Sequence, residues 1–182
     1  MAIPSQTALA RARSCLRVER EALAATARRL DASFVTTARA VERALAKGSK
    51  LIFTGVGKNA PVAAKIAATF NSTGAPSCFL DATQALHGDL GLVQDGDLVL
   101  ALSYSGESSE WTDLLPALRR FSVKIIALTG NPRSTLGEHS DVILNVRVPK
   151  EACPFNLAPT SSTTATLVMG DALALATMTA RG

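Results

Sequence analysis

Residues 97–110 read DLVLALSYSGESSE. The first six, Asp97–Leu102, are a short, nearly unbroken apolar run, as expected of a strand buried on both faces. The next eight, Ser103 to Glu110, are hydroxyl-rich with one glycine. They lead into a helix expected over Ser108–Phe121. Strand, tight polar turn and helix in that order make one unit of a parallel α/β sheet.

The same texture extends in both directions. Upstream, Lys50–Thr54 (KLIFT) is a β-rich run ending at Gly55 and Gly57. Residues 60–73 form a helix of small residues closed by Gly74, and Ser77–Leu80 is a second strand. Downstream, Lys124–Thr129 (KIIALT) is a fourth strand, Val142–Val148 a fifth, and Ser162–Ala180 a final helix. The fold class expected is α/β, a three-layer α/β/α sandwich with a five-stranded parallel sheet. Residues 5–47 read as helical. Leu9, Leu16, Leu23 and Leu30 recur every seven residues, so they share one stripe that packs at a subunit interface or on the domain itself. Asp31 and Ser33 are candidate caps for a second helix that runs to about Lys47 and ends at Gly48. One domain over residues 1–182 is expected, with N-terminal helices in 1–48 and the α/β core in 49–182.

Composition narrows the function classes. The chain has 182 residues, 47% apolar and 19% charged, with a formal charge of +4. That excludes a disordered chain, and such a length buries roughly 70% of its unfolded surface. The charge is uneven: residues 1–50 hold ten Lys/Arg against four Asp/Glu, and the rest hold nine against eleven. Phe34 is the one aromatic residue among the basic ones, so a single-strand nucleic-acid platform is not expected and the excess reads as a solvated helix face. Cys15, Cys78 and Cys153 have no zinc or redox spacing, which fits a reduced compartment. No secretory leader is read in the first ten residues. The longest charge-free stretch, Ala152–Gly170, carries Pro154, Asn156 and Pro159 and does not read as a membrane span. A cytoplasmic protein with no nucleic-acid or membrane partner is expected.

In open parallel sheets ligands bind beyond the carboxyl ends of the strands. The turn Ser103–Ser109 places several hydroxyls and Gly106 at a helix start, where free N–H groups and the positive dipole end favour an anion, here a phosphate. Gly55-Val56-Gly57-Lys58-Asn59 is no Walker loop, yet Lys58 stands where it can reach a ligand oxyanion. Glu110 and Glu151 are the carboxylates closest to these turns. Glu151, in a charge-poor segment, is expected to have a raised pKa suited to proton transfer. Glu107 reads as a helix-start acid, His87 as a loop residue with either a structural or a ligand role, and His139 as surface. The run Pro159-Thr160-Ser161-Ser162-Thr163-Thr164 holds more hydroxyls than capping needs, which suggests a second set of donors facing the ligand.

Five runs carry a family resemblance: Gly55–Lys58 (GVGK), Ala85–Gly91 (ALHGDLG), Leu102–Glu110 (LSYSGESSE), Lys150–Pro154 (KEACP) and Leu157–Ala174 (LAPTSSTTATLVMGDALA). Together they resemble the SIS (sugar isomerase) domain of the D-arabinose-5-phosphate isomerase family, over about residues 10–182. The resemblance implies a flavodoxin-like strand order and a homotetramer, or a homodimer, with sites between subunits. It implies interconversion of D-ribulose 5-phosphate and D-arabinose 5-phosphate through an enediol, upstream of the lipopolysaccharide sugar Kdo. Lys58, Glu110 and Glu151 match the family's catalytic lysine and glutamates. Ser103, Ser105, Gly106 and Ser108 match its phosphate turn, and Gly57, Asn59, Thr160 and Ser161 fall in its ligand-facing turns. His87 matches a histidine that can take an adventitious divalent metal; no cofactor and no required metal are implied. Two departures stand out. The family's G-K-S-G is here Gly57-Lys58-Asn59-Ala60, which is expected to alter sugar preference. The family's fourth catalytic residue, a histidine past the final helix, and its paired C-terminal CBS domains have no counterpart before Gly182. The expectation is a shortened form or a stand-alone domain with weakened or altered activity. The alternative is a non-catalytic module that binds a sugar phosphate or nucleotide sugar. A sugar-responsive transcription factor ranks third, because residues 1–50 show no helix-turn-helix pattern.

Overall fold

The computed structural model describes residues 4–181. Five parallel strands form one sheet in the order β2-β1-β3-β4-β5: β1 Leu51–Gly55, β2 Ser77–Asp81, β3 Leu98–Leu102, β4 Lys124–Thr129 and β5 Val142–Asn145. Gly55 pairs with both Asp81 and Leu102, and Leu102 with Leu128, so the carboxyl ends of four strands are level. The helices are α1 Ser5–Ala27, α2 Ala32–Ala46, α3 Asn59–Ser72, α4 Ala82–Ala85, α5 Ser109–Leu118, α6 Thr135–Glu138 and α7 Ser161–Arg181.

Alternation along each strand builds two cores. Leu51, Phe53, Leu98 and Leu100 pack under α2, α3 and α7, with Phe53 and Phe70 ring centroids 5.2 Å apart. Ile52, Val99 and Ile125 pack under α4, α5 and α6, around Trp111. Both central strands, β1 and β3, are buried along their whole length, which is why they read as continuous apolar runs. The expected α/β/α sandwich is the one observed.

At the amino edge the β1 and β3 starts are tied together. Asp97, its side chain 2% exposed, forms an ion pair with Lys50 Nζ at 2.7 Å. Its carboxylate also accepts from Lys50 N at 3.0 Å and Gln94 N at 2.9 Å. On the first face, α3 and α7 touch closely at Gly170. A Cβ there would lie 2.5 Å from Ile66 Cδ1. Lys65 pairs with Asp171 at 2.6 Å, and Gly74 and Ala180, near the helices' far ends, share a cleft. The two helices therefore run parallel. At equal rise per residue, the start of α7 is level with Gly57-Lys58.

Some boundaries differ from expectation. β5 stops at Asn145 rather than Val148: the Asn145 side chain accepts from Arg147 N at 3.0 Å and turns the chain away. α5 ends at Leu118, short of Phe121. The four-residue helices α4 and α6 were not expected, because one turn carries no hydrophobic period. They are held by side-chain caps instead, α4 by Asp81 accepting from Thr83 N at 2.8 Å and α6 by Ser134 accepting from Gly137 N at 3.2 Å. Asp31 caps α2, accepting from Ser33 N at 2.8 Å. Of the leucine stripe only Leu23, on α1, packs on the domain, beside Ala22, Val148 and Ala165. Leu9, Leu16 and Leu30 are 56%, 70% and 49% exposed, and the buried face of α1 is Val18, Ala22, Ala25 and Thr26.

Candidate active site

The Ser103–Ser109 turn lies between the carboxyl end of β3 and the start of α5. Ser103 is buried, and its hydroxyl accepts from Gly106 N at 3.1 Å; Ser105 Oγ accepts from Glu107 N at 3.3 Å. Both hydroxyls thus fold the turn as acceptors and keep an O–H to donate. Gly106 has φ +71°, and a Cβ there would lie 2.5 Å from Ser134 Cβ. Only glycine suits that combination. Ser108 is the N-cap of α5, but its side chain makes no capping bond. The N–H groups of Ser109 and Glu110 meet no acceptor among the described residues. The turn therefore presents a free hydroxyl and free amides at a helix start, a geometry that suits an anion.

After β1 the chain doubles back tightly. A Cβ on Gly55 would lie 2.8 Å from the Asn59 carbonyl oxygen, and Gly57 takes φ +59°. This turn sets Lys58 at the N-cap of α3 and Asn59 as its first residue. Lys58 is exposed, with no hydrogen-bond partner among the described residues.

Glu151 is held by the start of α7. Its Oε2 accepts from Thr160 N at 2.8 Å, Thr160 Oγ1 at 3.0 Å and Ser162 N at 3.2 Å. Thr160 Oγ1 in turn accepts from Ala152 N at 2.8 Å, which closes the loop 152–160. Burial pushes the Glu151 carboxyl up, but the donors on Ser162 and Thr160 outweigh it and hold the group below the usual glutamate value. The raised pKa expected from partial desolvation is thus overturned: a charge-poor segment of sequence does not reveal the hydrogen bonds that the fold brings to it. Oε1 carries no such bond, so one oxygen anchors the side chain and the other is left open. Ser161, expected to face the ligand, has its hydroxyl fully buried with no partner. Thr160 braces Glu151.

Glu110 stands in the first turn of α5, against the opposite face of the sheet from α3 and α7, with its Oε2 accepting from Ser109 Oγ at 3.3 Å. His87 follows α4, beyond the edge strand β2, with an exposed ring. Among the described residues no three His, Cys, Asp or Glu side chains cluster as metal ligands would. The sheet order places Lys58 and Glu151 at neighbouring helix starts on one face, Glu110 on the other, the serine turn between them and His87 at the margin. Lys58, Glu110 and Glu151 are not hydrogen-bonded to one another.

Sequence reasoning missed the frame around the turn. Glu107 does not serve α5. Its carboxylate accepts from Thr135 N at 3.1 Å and Thr135 Oγ1 at 2.7 Å, at the start of α6. Tyr104 exchanges hydrogen bonds with Val148, its OH accepting from Val148 N at 3.2 Å and donating to Val148 O at 3.4 Å. Thr129 Oγ1 donates to Tyr104 O at 3.2 Å. Each of these links depends on which strands are neighbours.

A parallel α/β sandwich whose polar turns and ionisable side chains gather at the carboxyl edge of the sheet belongs to the broad class of open α/β ligand-binding domains. The SIS domain model matches residues 44–176, and the chain belongs to that family. It is 50% identical over 167 residues to the arabinose 5-phosphate isomerase KdsD of Escherichia coli (strain K12), covering 92% of this chain and 50% of that protein. The Pseudomonas aeruginosa KdsD is 47% identical over 165 residues. The chain spans about half the length of these relatives. Among solved structures, the c3406 protein of E. coli CFT073 in complex with arabinose 5-phosphate superposes with a TM-score of 0.93 at 34% identity, covering 98% of this chain and 94% of that one. No helix among the described residues is long and apolar enough to cross a membrane.

Proposed function

We propose that this domain is a sugar-phosphate aldose–ketose isomerase that interconverts D-ribulose 5-phosphate and D-arabinose 5-phosphate. The supporting observation is the serine turn with its unused Ser108 hydroxyl and α5 amides, in a chain half identical to arabinose 5-phosphate isomerases. The phosphate ester binds Ser103, Ser105, Gly106 and Ser108, and this anchoring, remote from the reacting carbons, fixes the sugar's orientation. Gly57 and Asn59 shape the turn from which Lys58 supports the enediolate oxygen. Glu151, ionised at neutral pH, takes the proton from C1 of the ketose through its open Oε1 and returns it to C2. Glu110 moves the hydroxyl proton, so that the O1 proton lost matches the O2 proton gained. Bound substrate displaces water from Glu151 and lifts its pKa toward the value a base needs. His87 borders the sugar end of the site, and no cofactor enters the scheme.

The same reading takes residues 1–182 as one domain that works in the cytoplasm and supplies the Kdo pathway. The exposed leucines of α1, with Val168, Leu175 and Met178 on α7, are the surface through which copies assemble into a tetramer or dimer. The test is incubation with ribulose 5-phosphate and identification of the aldose formed, with Glu151→Gln as control. Arabinose 5-phosphate from the wild type and none from the variant supports the proposal. Binding without turnover would instead establish a sugar-phosphate binding module.

A further inference from the structure

The serine turn has two flanks. β1, with Lys58, lies on one side of β3, and β4 lies on the other. On the β4 side the ends of β3, β4 and β5 enclose a cavity of about 610 Å³, lined chiefly by Tyr104, Ser105, Asn131, Arg133, Asn145 and Arg147. None of the proposed catalytic residues lines it.

The lining is built from donors. Asn131 Oδ1 accepts from Arg133 N at 3.3 Å and Asn145 Oδ1 from Arg147 N at 3.0 Å, so each amide has its oxygen engaged and its NH2 group unpaired. Neither guanidinium has a hydrogen-bond or ion-pair partner among the described residues. No carboxylate lines the cavity; the acid of the adjoining turn, Glu107, is engaged by Thr135. Arg29, on the α1–α2 connection, donates to the Arg147 carbonyl and so holds the backbone that carries this guanidinium. The floor is rigid: a Cβ on Gly130 would lie 2.5 Å from the Tyr104 ring, and Tyr104 is itself held by Val148. Guanidinium groups gathered without an acid repel one another, and their planar forks match a phosphate or carboxylate.

Strands are about 4.8 Å apart, so the β4–β5 rim lies roughly 5–10 Å from the turn after β3. One small ligand spans that gap. We propose that Arg133 and Arg147 form a second anion subsite beside the serine turn, which receives the further phosphate or carboxylate of a doubly acidic sugar metabolite. Such a ligand occupies both places at once and competes with the pentose monophosphate. The inference rests on the serine turn as the phosphate site.

The experiment is calorimetric titration of wild type and the Arg133→Ala/Arg147→Ala variant with three ligands: arabinitol 5-phosphate, ribulose 1,5-bisphosphate and 6-phosphogluconate. Both arginines are exposed, so the variant is expected to fold, and an unchanged melting temperature verifies this. In the wild type, at least one diacid binds about tenfold or more tighter than the monophosphate, as charge-assisted hydrogen bonds imply. The variant loses that advantage and keeps its monophosphate affinity. The ligand that shows the loss identifies the second group as phosphate or carboxylate. An equal affinity for all three, an advantage that survives in the variant, or a parallel loss of monophosphate binding overturns the subsite. If the monophosphate fails to bind the wild type while a diacid binds through the arginines, the serine-turn reading falls and the arginine site stands. If nothing binds, both fall.

Discussion

Replacing Thr160 with valine removes one oxygen and keeps the shape. Two bonds go with it: the 3.0 Å donation to Glu151 Oε2 and the 2.8 Å acceptance from Ala152 N. The backbone donors Thr160 N and Ser162 N remain on the carboxylate. A hydrogen bond to a charged group contributes about 1.5–3 kcal/mol, and partial exposure of the site places this one at the lower end. The variant should therefore be less stable at pH 7 by about 1–2 kcal/mol, a fall in melting temperature of about 2–8 °C for a chain of this size. The sign with pH follows from linkage. The folded carboxyl sits below its ordinary value of 4.5, so its contribution is complete above that value and is lost as pH falls through the lower, folded one. The gap between wild type and variant should narrow in urea titrations taken from pH 7 to pH 3. What persists at pH 3 is the unpartnered Ala152 amide. In assays of ribulose 5-phosphate conversion the variant should lose turnover with little change in KM, and Thr160→Ser should restore it. A stability gap that is independent of pH, or a serine variant no better than valine, would refute the bracing of Glu151 by Thr160.

Other expectations concern different parts of the molecule. Gly106→Ala puts a methyl against Ser134 at φ +71°; it should cost about 2 kcal/mol or more and abolish phosphate-ester binding by calorimetry. Asp97→Ala leaves Lys50 unpaired at the amino edge and should destabilise the fold by about 3 kcal/mol in denaturant titration, with ligand affinity in the folded fraction unchanged. Glu110→Gln should reduce turnover by about 10²–10⁴-fold while sugar-phosphate binding persists. The Cys153 thiol is drawn below its usual value by the amides of Ala158, Leu157 and Phe155, whereas burial pushes Cys78 up. Iodoacetamide at pH 8, followed by peptide mass mapping, should label Cys153 first.

The strands β1, β3 and β4 were legible because each is a short apolar block bounded by glycine or polar turns, and burial on both faces leaves no other pattern. The serine turn was legible for a related reason: Ser103, Ser105 and Ser108 exceed what one helix cap requires. What escaped was whatever depends on distant partners. Nothing local to Glu151 shows that Thr160 and Ser162 return to it after a nine-residue loop, so burial alone gave the wrong direction for its pKa. Glu107 looked like a dipole partner of its own helix and serves another. Arg133 and Arg147 are fourteen positions apart and drew no notice until the order β3-β4-β5 placed their turns side by side.

The Lys50–Asp97 pair sits at the rim of the sheet remote from every residue assigned to chemistry. The register of β1 and β3 is thus fixed at the pole opposite the reactive turns. Positions in those turns that neither brace a neighbour nor touch ligand are free to drift, and with them the choice of sugar, as long as that distant clasp keeps its two strands in step.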